Sequence, residues 1–188
     1  MISIRTTIST MVGLAMLPIS CAQAQDASQS LTLYGGPATR RYVSDIFLHG
    51  NFDLDGVLLG VAYDRRLAAL GGGFTFEGEL QVNHLFMDHS YSSISGGAGL
   101  RYDTTRWIGR PSSFAVYTGP SYADDGAQST GKRNHFLEYV SLEFAVSSIN
   151  KSNWDGVIRM YHRSGAFGVY GKNTDTGSTF GIGIRRRF

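Results

Sequence analysis

Apolar and polar side chains alternate along several stretches of the chain, with a repeat of two residues. In the clearest stretch, residues 74–87, every second residue from Phe74 to Val82 is apolar or small and the residues between them are polar. A repeat of two places alternate side chains on opposite faces of a β-strand. The apolar set in this stretch is Phe74, Phe76, Gly78, Leu80 and Val82. The C-terminal stretch repeats the pattern, with an apolar face formed by Phe180, Ile182, Ile184 and Phe188.

Eight segments with this alternation predict eight strands. They span residues 29–36, 53–66, 74–87, 94–104, 113–122, 135–147, 156–165 and 178–188. The connections alternate between turns, such as 67–73, and polar segments, which are 37–52, 88–93, 123–134 and 166–177. All of these polar segments except 88–93 are longer than the turns. The pattern therefore predicts an all-β chain whose consecutive strands run antiparallel.

The composition separates two architectures that would both produce this alternation. Glycine makes up 24 of the 188 residues, about 13% against a usual ~7%, and charged residues make up only 17% against a usual ~25%. The polar face of the strands carries charge and glycine, whereas a soluble β-sandwich would need a second apolar core. A membrane-spanning barrel is apolar outside and polar inside, and it closes because lipid cannot hydrogen-bond an open sheet edge. We therefore predict an eight-stranded antiparallel transmembrane β-barrel of the outer membrane, with a soluble sandwich as the alternative.

The same composition excludes other classes of protein. An aromatic content of 12% argues against a disordered chain, and the glycine content argues against a helical bundle. The net charge is only +2, so no global field indicates binding to nucleic acid.

The first 24 residues have the three parts of a secretory signal peptide. Arg5 supplies a positive charge, residues 8–19 are uncharged and mostly apolar, and Ala22-Gln23-Ala24 forms a cleavage site. We predict that residues 1–24 are removed and that residues 25–188 form a single barrel domain in the cell outer membrane. Cys21, the one cysteine, precedes the cut, so the mature chain would contain no disulfide.

Eight strands with both termini in the periplasm fix the direction of every strand. Odd strands would run outward and even strands inward, so that the longer polar segments face the cell exterior. An eight-stranded barrel is filled by side chains and is not a pore. We expect the charged side chains of the inner face to pair with one another there, and these are Glu77, Glu79, Arg101, Glu143, Arg159 and Arg163.

The seventh strand carries the residues best suited to chemistry. Along Val157–Ser164, alternation places the arginines in the lumen and places Ile158 and Met160 toward lipid. His162 and Ser164 share this outward face near the extracellular end of the strand. Because the two residues are two positions apart on one strand, their Cα atoms lie about 6.5–7 Å apart. At this distance the imidazole can reach the serine hydroxyl. A serine hydroxyl needs such a base to act as a nucleophile.

The run His162-Arg163-Ser164-Gly165-Ala166, on the penultimate strand of a small barrel that ends in Arg-x-Phe, resembles the lipid A 3-O-deacylase (PagL) family. The resemblance covers mainly residues 135–188. It implies an eight-stranded outer-membrane esterase without a cofactor, which hydrolyses the 3-linked hydroxyacyl chain of lipid A in lipopolysaccharide. It also implies that His162 is the general base and Ser164 the nucleophile. The family has Asn where this chain has Gly165, so the oxyanion would be held by backbone N–H groups or by another side chain.

The resemblance leaves the third catalytic member open, because the family has a Glu about twelve residues after the Ser and this chain has none there. Two carboxylates could take its place. Asp175 is close to the expected position but is predicted to lie in a loop. Glu138 belongs to the outward set of strand six, and a hairpin centred near Asn150 would place it opposite His162. We prefer Glu138 as the group that orients the imidazole.

The alternative function is a non-enzymatic small barrel with a structural or adhesive role. For either function the expected partner is outer-membrane lipid, with lipopolysaccharide as the substrate of the enzyme, and the oligomeric state stays open, a homodimer included. We expect no cofactor and no metal, because the histidines outside strand seven lack a compact ligand spacing. They are His49, His84, His89 and His135.

Overall fold

The computed structural model describes residues 28–39, 54–105, 107–129, 132–148, 153–165 and 175–188, with the backbone alone for 125–129, 132–134 and 175–176. The predicted signal peptide, residues 1–24, lies outside the described residues. These described residues form eight strands. In chain order they are β1 Gln29–Thr39, β2 Gly56–Gly71, β3 Phe74–Phe86, β4 Tyr91–Thr104, β5 Ser112–Ser129, β6 Lys132–Ser147, β7 Trp154–Ser164 and β8 Asp175–Arg187. No helix of the described ranges is long and apolar enough to cross a membrane.

Each strand pairs antiparallel with the next, and β1 pairs with β8, so the sheet closes into a barrel. The predicted eight-stranded fold is confirmed, and the alternation that predicted it matches the two faces of the wall. The apolar sets point outward; Leu80 is 51% exposed, Val82 52% and Ile182 74%. The polar sets line a buried lumen. A closed wall with an apolar exterior is the arrangement that lipid requires, and the soluble sandwich is excluded.

The strands differ most from the prediction at the β5–β6 hairpin. Residues 123–134 were expected to form a polar connection, but most of them belong to strands. β5 continues to Ser129 and β6 begins at Lys132, and these two residues pair with each other. The ladder is irregular between Tyr122 and Ala127 and then resumes. Backbone hydrogen bonds can hold such a hairpin even where its side chains are not apolar. The end of the apolar and polar alternation in the sequence therefore did not mark the end of the strands.

The β2–β3 turn is also tighter than predicted. β2 continues to Gly71, and the register shifts between Arg66 and Ala68 and again between Ala69 and Gly71. The three consecutive glycines of the turn, 71–73, all have positive φ angles, of 84°, 60° and 88°. Glycine adopts this conformation without the steric cost that a Cβ imposes. The predicted turn at 67–73 therefore shortens to the residues around Gly72.

Glu143 is the centre of the ion pairs that fill the lumen. Its carboxylate lies 2.9 Å from Arg101, 3.0 Å from Arg159 and 2.8 Å from Arg185. Arg159 also lies between two tyrosine rings, with its guanidinium 5.0 Å from the centre of Tyr34. The predicted pairing of the lumen charges is thus confirmed in its main part. Further pairs join Arg159 to Glu79, Arg101 to Glu77 and Arg185 to Asp155.

The barrel has two distinct ends. At one end β1 begins and β8 ends, and the Gln29 N–H donates to the Phe188 carbonyl at 3.1 Å. The lumen opens there into a cavity of about 700 Å³, lined in part by Arg101 and Arg185. Side chains therefore fill the interior less completely than we expected. At the opposite end, called the loop end below, β7 stops at Ser164 and β8 begins at Asp175.

Candidate active site

His162 and Ser164 lie on the outer face of β7, close to the loop end. Both side chains are half-buried. Ile158, on the same face, is 57% exposed, as expected for a lipid-facing residue. Met160 differs from the expectation, because it is only 8% exposed. Its cross-strand neighbours are Leu142 on β6 and Phe180 on β8, both apolar, so an apolar patch borders the histidine on this part of the outer wall.

A β-bulge in β8 lies beside these two residues. His162 pairs with Ser178 and Ser164 pairs with Asp175, so two residues of β8 face Arg163 alone. A bulge of this kind bends the strand and redirects its groups. Gly177, inside the bulge, has a φ of 89°, in the left-handed region that favours glycine.

The bulge brings β8 into contact with the imidazole of His162. Nδ1 lies 3.1 Å from the carbonyl oxygen of Gly177 and 3.2 Å from Oγ of Ser178. A carbonyl oxygen only accepts, so the bond to Gly177 exists when Nδ1 carries the proton. In a neutral imidazole this tautomer leaves Nε2 with its lone pair. Nε2 is then the nitrogen able to take a proton from a serine hydroxyl.

The expectation that Glu138 faces His162 is wrong. Glu138 pairs with Ser164, and His162 pairs with Val140, two residues further along β6. The β6–β7 hairpin is centred one residue later than we assumed. Moving the centre of a hairpin by one residue moves the cross-strand partner of every residue by two positions. The Glu138 carboxylate lies 2.7 Å from Oγ1 of Thr118 on β5. It therefore has a hydroxyl partner on the side away from β7.

Asp175 was predicted to lie in a loop, but it is the first residue of β8. Its backbone pairs with that of Ser164. The loop was predicted to reach residue 177, and β8 starts earlier because the bulge lets its ladder continue past the irregularity. Both predicted carboxylate positions, Glu138 and Asp175, thus flank Ser164 on the neighbouring strands, and neither is the register partner of His162.

Gly177 and Ser178 were not predicted as partners of His162. A signal for Ser178 was present, since it continues the outward set of the last strand two residues before Phe180. The contact of Gly177 depends on the bulge, and a period of two gives no sign of one inserted residue. Gly165, where the family has Asn, directly follows β7 and is buried.

The other histidines of the described residues do not form a metal site. Nδ1 of His84 lies 2.9 Å from Oγ of Ser92, and Nδ1 of His135 lies 2.8 Å from the carbonyl oxygen of Ala123. Within the described ranges, no three His, Cys, Asp or Glu side chains could hold a metal ion together. His49 lies outside those ranges.

No family model and no curated protein matches this sequence. The fold, however, is similar to solved outer-membrane structures. The outer membrane enzyme PagL gives a TM-score of 0.60 at 9% identity, over 85% of this chain and 99% of that one. The Yersinia pestis outer membrane protein Ail, solved in a phospholipid bilayer nanodisc, gives a TM-score of 0.50 at 12% identity, over 87% of this chain and 100% of that one. This likeness concerns the fold, which is an eight-stranded barrel of the outer-membrane type.

Proposed function

We propose that the protein is an esterase that removes the 3-linked hydroxyacyl chain from lipid A, with Ser164 as nucleophile and His162 as general base. The observation that carries the proposal is the contact between β8 and His162. The Gly177 carbonyl can only accept, so a hydrogen bond to it favours the proton on Nδ1 and leaves the Nε2 lone pair for the serine two residues away. A His and a Ser on a lipid-facing wall have little structural use there, whereas a lipid ester would meet them directly.

The position of the pair suits a substrate held in the outer leaflet. Barrels of this type have their termini in the periplasm and their longer loops outside the cell. His162 and Ser164, next to the loop end, would then lie at the depth of the outer headgroups. Lipid A presents its ester bonds at that depth, so the acyl chain can stay in the bilayer while its carbonyl reaches Ser164.

The reaction proceeds in two halves. Ser164 Oγ attacks the ester carbonyl carbon while His162 Nε2 takes the hydroxyl proton, and the sugar oxygen leaves with that proton. Water then attacks the acyl-enzyme with the help of the same imidazole and releases the hydroxy fatty acid. Backbone N–H groups would hold the oxyanion, because Gly165 offers no side chain.

The third member of the site is, in this proposal, uncharged. The Gly177 carbonyl and the Ser178 hydroxyl orient the imidazole as a carboxylate does in a triad. They stabilise the imidazolium less, since a hydrogen bond to a charged acceptor is roughly twice as strong as one to a neutral acceptor. We therefore expect a slower enzyme than one with a carboxylate at this point.

The test uses the purified barrel in detergent micelles that contain lipid A with a 3-linked hydroxyacyl chain. We expect release of the hydroxy fatty acid, measured by mass spectrometry. Ser164→Ala and His162→Asn should each lower the rate by about 10³-fold or more, and the double variant should be no slower than either single variant. Ser148→Ala, at the opposite end of the barrel, is the matched control and should keep the full rate.

Heat-modifiable migration on gels establishes that each variant is folded. A folded wild-type barrel that releases no fatty acid would overturn the esterase, and so would a Ser164→Ala variant with full activity. The first result would instead favour a non-enzymatic barrel. That second candidate draws support from the fold, which is also similar to Ail.

A further inference from the structure

A second histidine–serine pair lies on the outer wall, on strands that the proposed site does not use. His84 of β3 and Ser92 of β4 are direct cross-strand partners. Nδ1 of His84 lies 2.9 Å from Oγ of Ser92, and both side chains are half-buried. β5 and β6 separate β4 from β7, so this pair faces a different part of the membrane from His162.

The second pair lies at the loop end, as the first does. His84 is two residues from the end of β3, and Ser92 is one residue from the start of β4. Its neighbours are apolar: Leu59 is the partner of His84 on β2, and the ring of Phe86 contacts the imidazole edge-on at 4.4 Å between centroids. The pair therefore borders the lipid-facing belt and lies close to the loop-end limit of β3 and β4.

The geometry is that of a nucleophile and its base. A serine hydroxyl that donates to Nδ1 requires the tautomer with the proton on Nε2, which is the reverse of the tautomer at His162. The 2.9 Å contact is within the range expected between a nucleophile and a general base, and it is already formed in the resting protein.

A carboxylate on the neighbouring strand holds the backbone of Ser92. Oδ1 of Asp124, on β5, accepts the backbone N–H of Ser92 at 2.7 Å. This bond holds the Ser92 backbone against β5, and so fixes the position of the Ser92 hydroxyl beside His84.

We propose that His84 and Ser92 form a second acyl-transfer site, which acts on carboxylic esters of outer-leaflet lipids. Ser92 Oγ bonds to the ester carbonyl carbon as its proton passes to His84 Nδ1, and the alcohol leaves with that proton. Water then cleaves the acyl-serine and frees the carboxylic acid. This site does not depend on the proposed reaction at Ser164, because the two pairs share no residue.

The test uses the folded full-length barrel in phospholipid vesicles and a lipid-soluble fluorophosphonate. An activated serine attacks the phosphorus of this probe and displaces fluoride, and the adduct is located by mass spectrometry. We expect an adduct on Ser92 in the wild type and in Ser164→Ala. His84→Asn should lower the rate of labelling at Ser92 by about 100-fold or more, as expected on loss of a general base. Ser90→Ala, which removes a neighbouring exposed serine, should leave labelling unchanged.

The outcomes separate the two sites. An adduct on Ser164 alone overturns the second site and leaves the proposed esterase intact. An adduct on Ser92 alone supports the second site and counts against Ser164. Labelling of Ser92 that survives both His84→Asn and His84→Gln overturns the role of the histidine, and a folded barrel with no adduct overturns both sites. The gel shift on heating confirms folding of each variant.

Discussion

The two outer-wall histidines differ in the groups that their Nδ1 atoms contact. At His162, Nδ1 faces the Gly177 carbonyl and Ser178 on β8. At His84, Nδ1 faces a serine hydroxyl on β4. The neighbouring strand therefore decides which ring nitrogen of a histidine on this wall is available as a base. In the proposed esterase, the β8 contact sets the tautomer of His162, and that contact can be changed one side chain at a time.

Ser178 is expected to position His162 and not to touch the substrate. Ser178→Ala should lower kcat several-fold and leave KM unchanged, because the hydroxyl acts only through the imidazole. Ser178→Asp would replace the hydroxyl by a charged acceptor, and about 1.4 kcal/mol of added stabilisation would raise kcat about tenfold. Steady-state kinetics on lipid A micelles measure both values. Equal loss of activity in the Ala and Asp variants would contradict the positioning role.

The two candidate carboxylates are expected to differ. Glu138 lies across from Ser164 with Thr118 as its partner, whereas the His162 Nδ1 faces β8. Glu138→Gln should therefore change kcat less than about threefold, which reverses our preference from the sequence. Asp175→Asn, on the strand that Nδ1 faces, should cost more. A larger loss at Glu138, in the same kinetic assay, would restore the first preference.

At the scale of elements, the strands could be predicted and their irregularities could not. The alternation of apolar and polar residues reports which face meets lipid, so it located β3 and β8 within a few residues. It gives no information on strands that continue through backbone hydrogen bonds where the apolar side chains stop, as in the β5–β6 hairpin. Nor does it fix the register, so Glu138 was assigned to the wrong partner. The bulge at Gly177 adds one residue without disturbing the outward set beyond it.

Gly177 is expected to be required for the shape of the bulge. A side chain at a φ of 89° costs about 1–2 kcal/mol, so Gly177→Val should lower thermal stability and displace the carbonyl from His162. We expect a loss of at least tenfold in kcat. Gly156→Ala is the matched control, since a Cβ there would meet no atom within 4 Å. Scans of heat-modifiability and the esterase assay provide the measurements. Equal thermal stability and equal kcat of the two variants would contradict the requirement for glycine in the bulge.

At the scale of the whole molecule, a charged interior lies inside an apolar exterior. The composition indicated this, because few charges and many glycines suit a wall that is thin and apolar outside. The six charged side chains that the sequence placed inside are buried, but that set left out Asp64, Asp155 and Arg185, which are buried as well. The sequence could not indicate that Glu143 joins three arginines, because those contacts cross the lumen between strands far apart in the chain.

Glu143 is therefore expected to dominate the stability of the lumen. Glu143→Gln would leave buried guanidinium groups without their charged partner, at a cost of about 3–5 kcal/mol in the free energy of unfolding. Urea unfolding in lipid vesicles measures the loss. Glu138→Gln, an acid-to-amide change on the outer wall, is the control and should cost less than about 1 kcal/mol. An equal effect of the two changes would mean that the lumen network contributes little.

The most direct test of the central claim is the lipid A of cells that make this protein. Cells with the wild-type barrel should contain lipid A lighter by one 3-linked hydroxyacyl chain, as measured by mass spectrometry of extracted lipid A. Cells with the Ser164→Ala barrel, at equal amounts in the outer membrane, should contain unmodified lipid A. Unmodified lipid A in both, with folded protein in both membranes, would contradict the account.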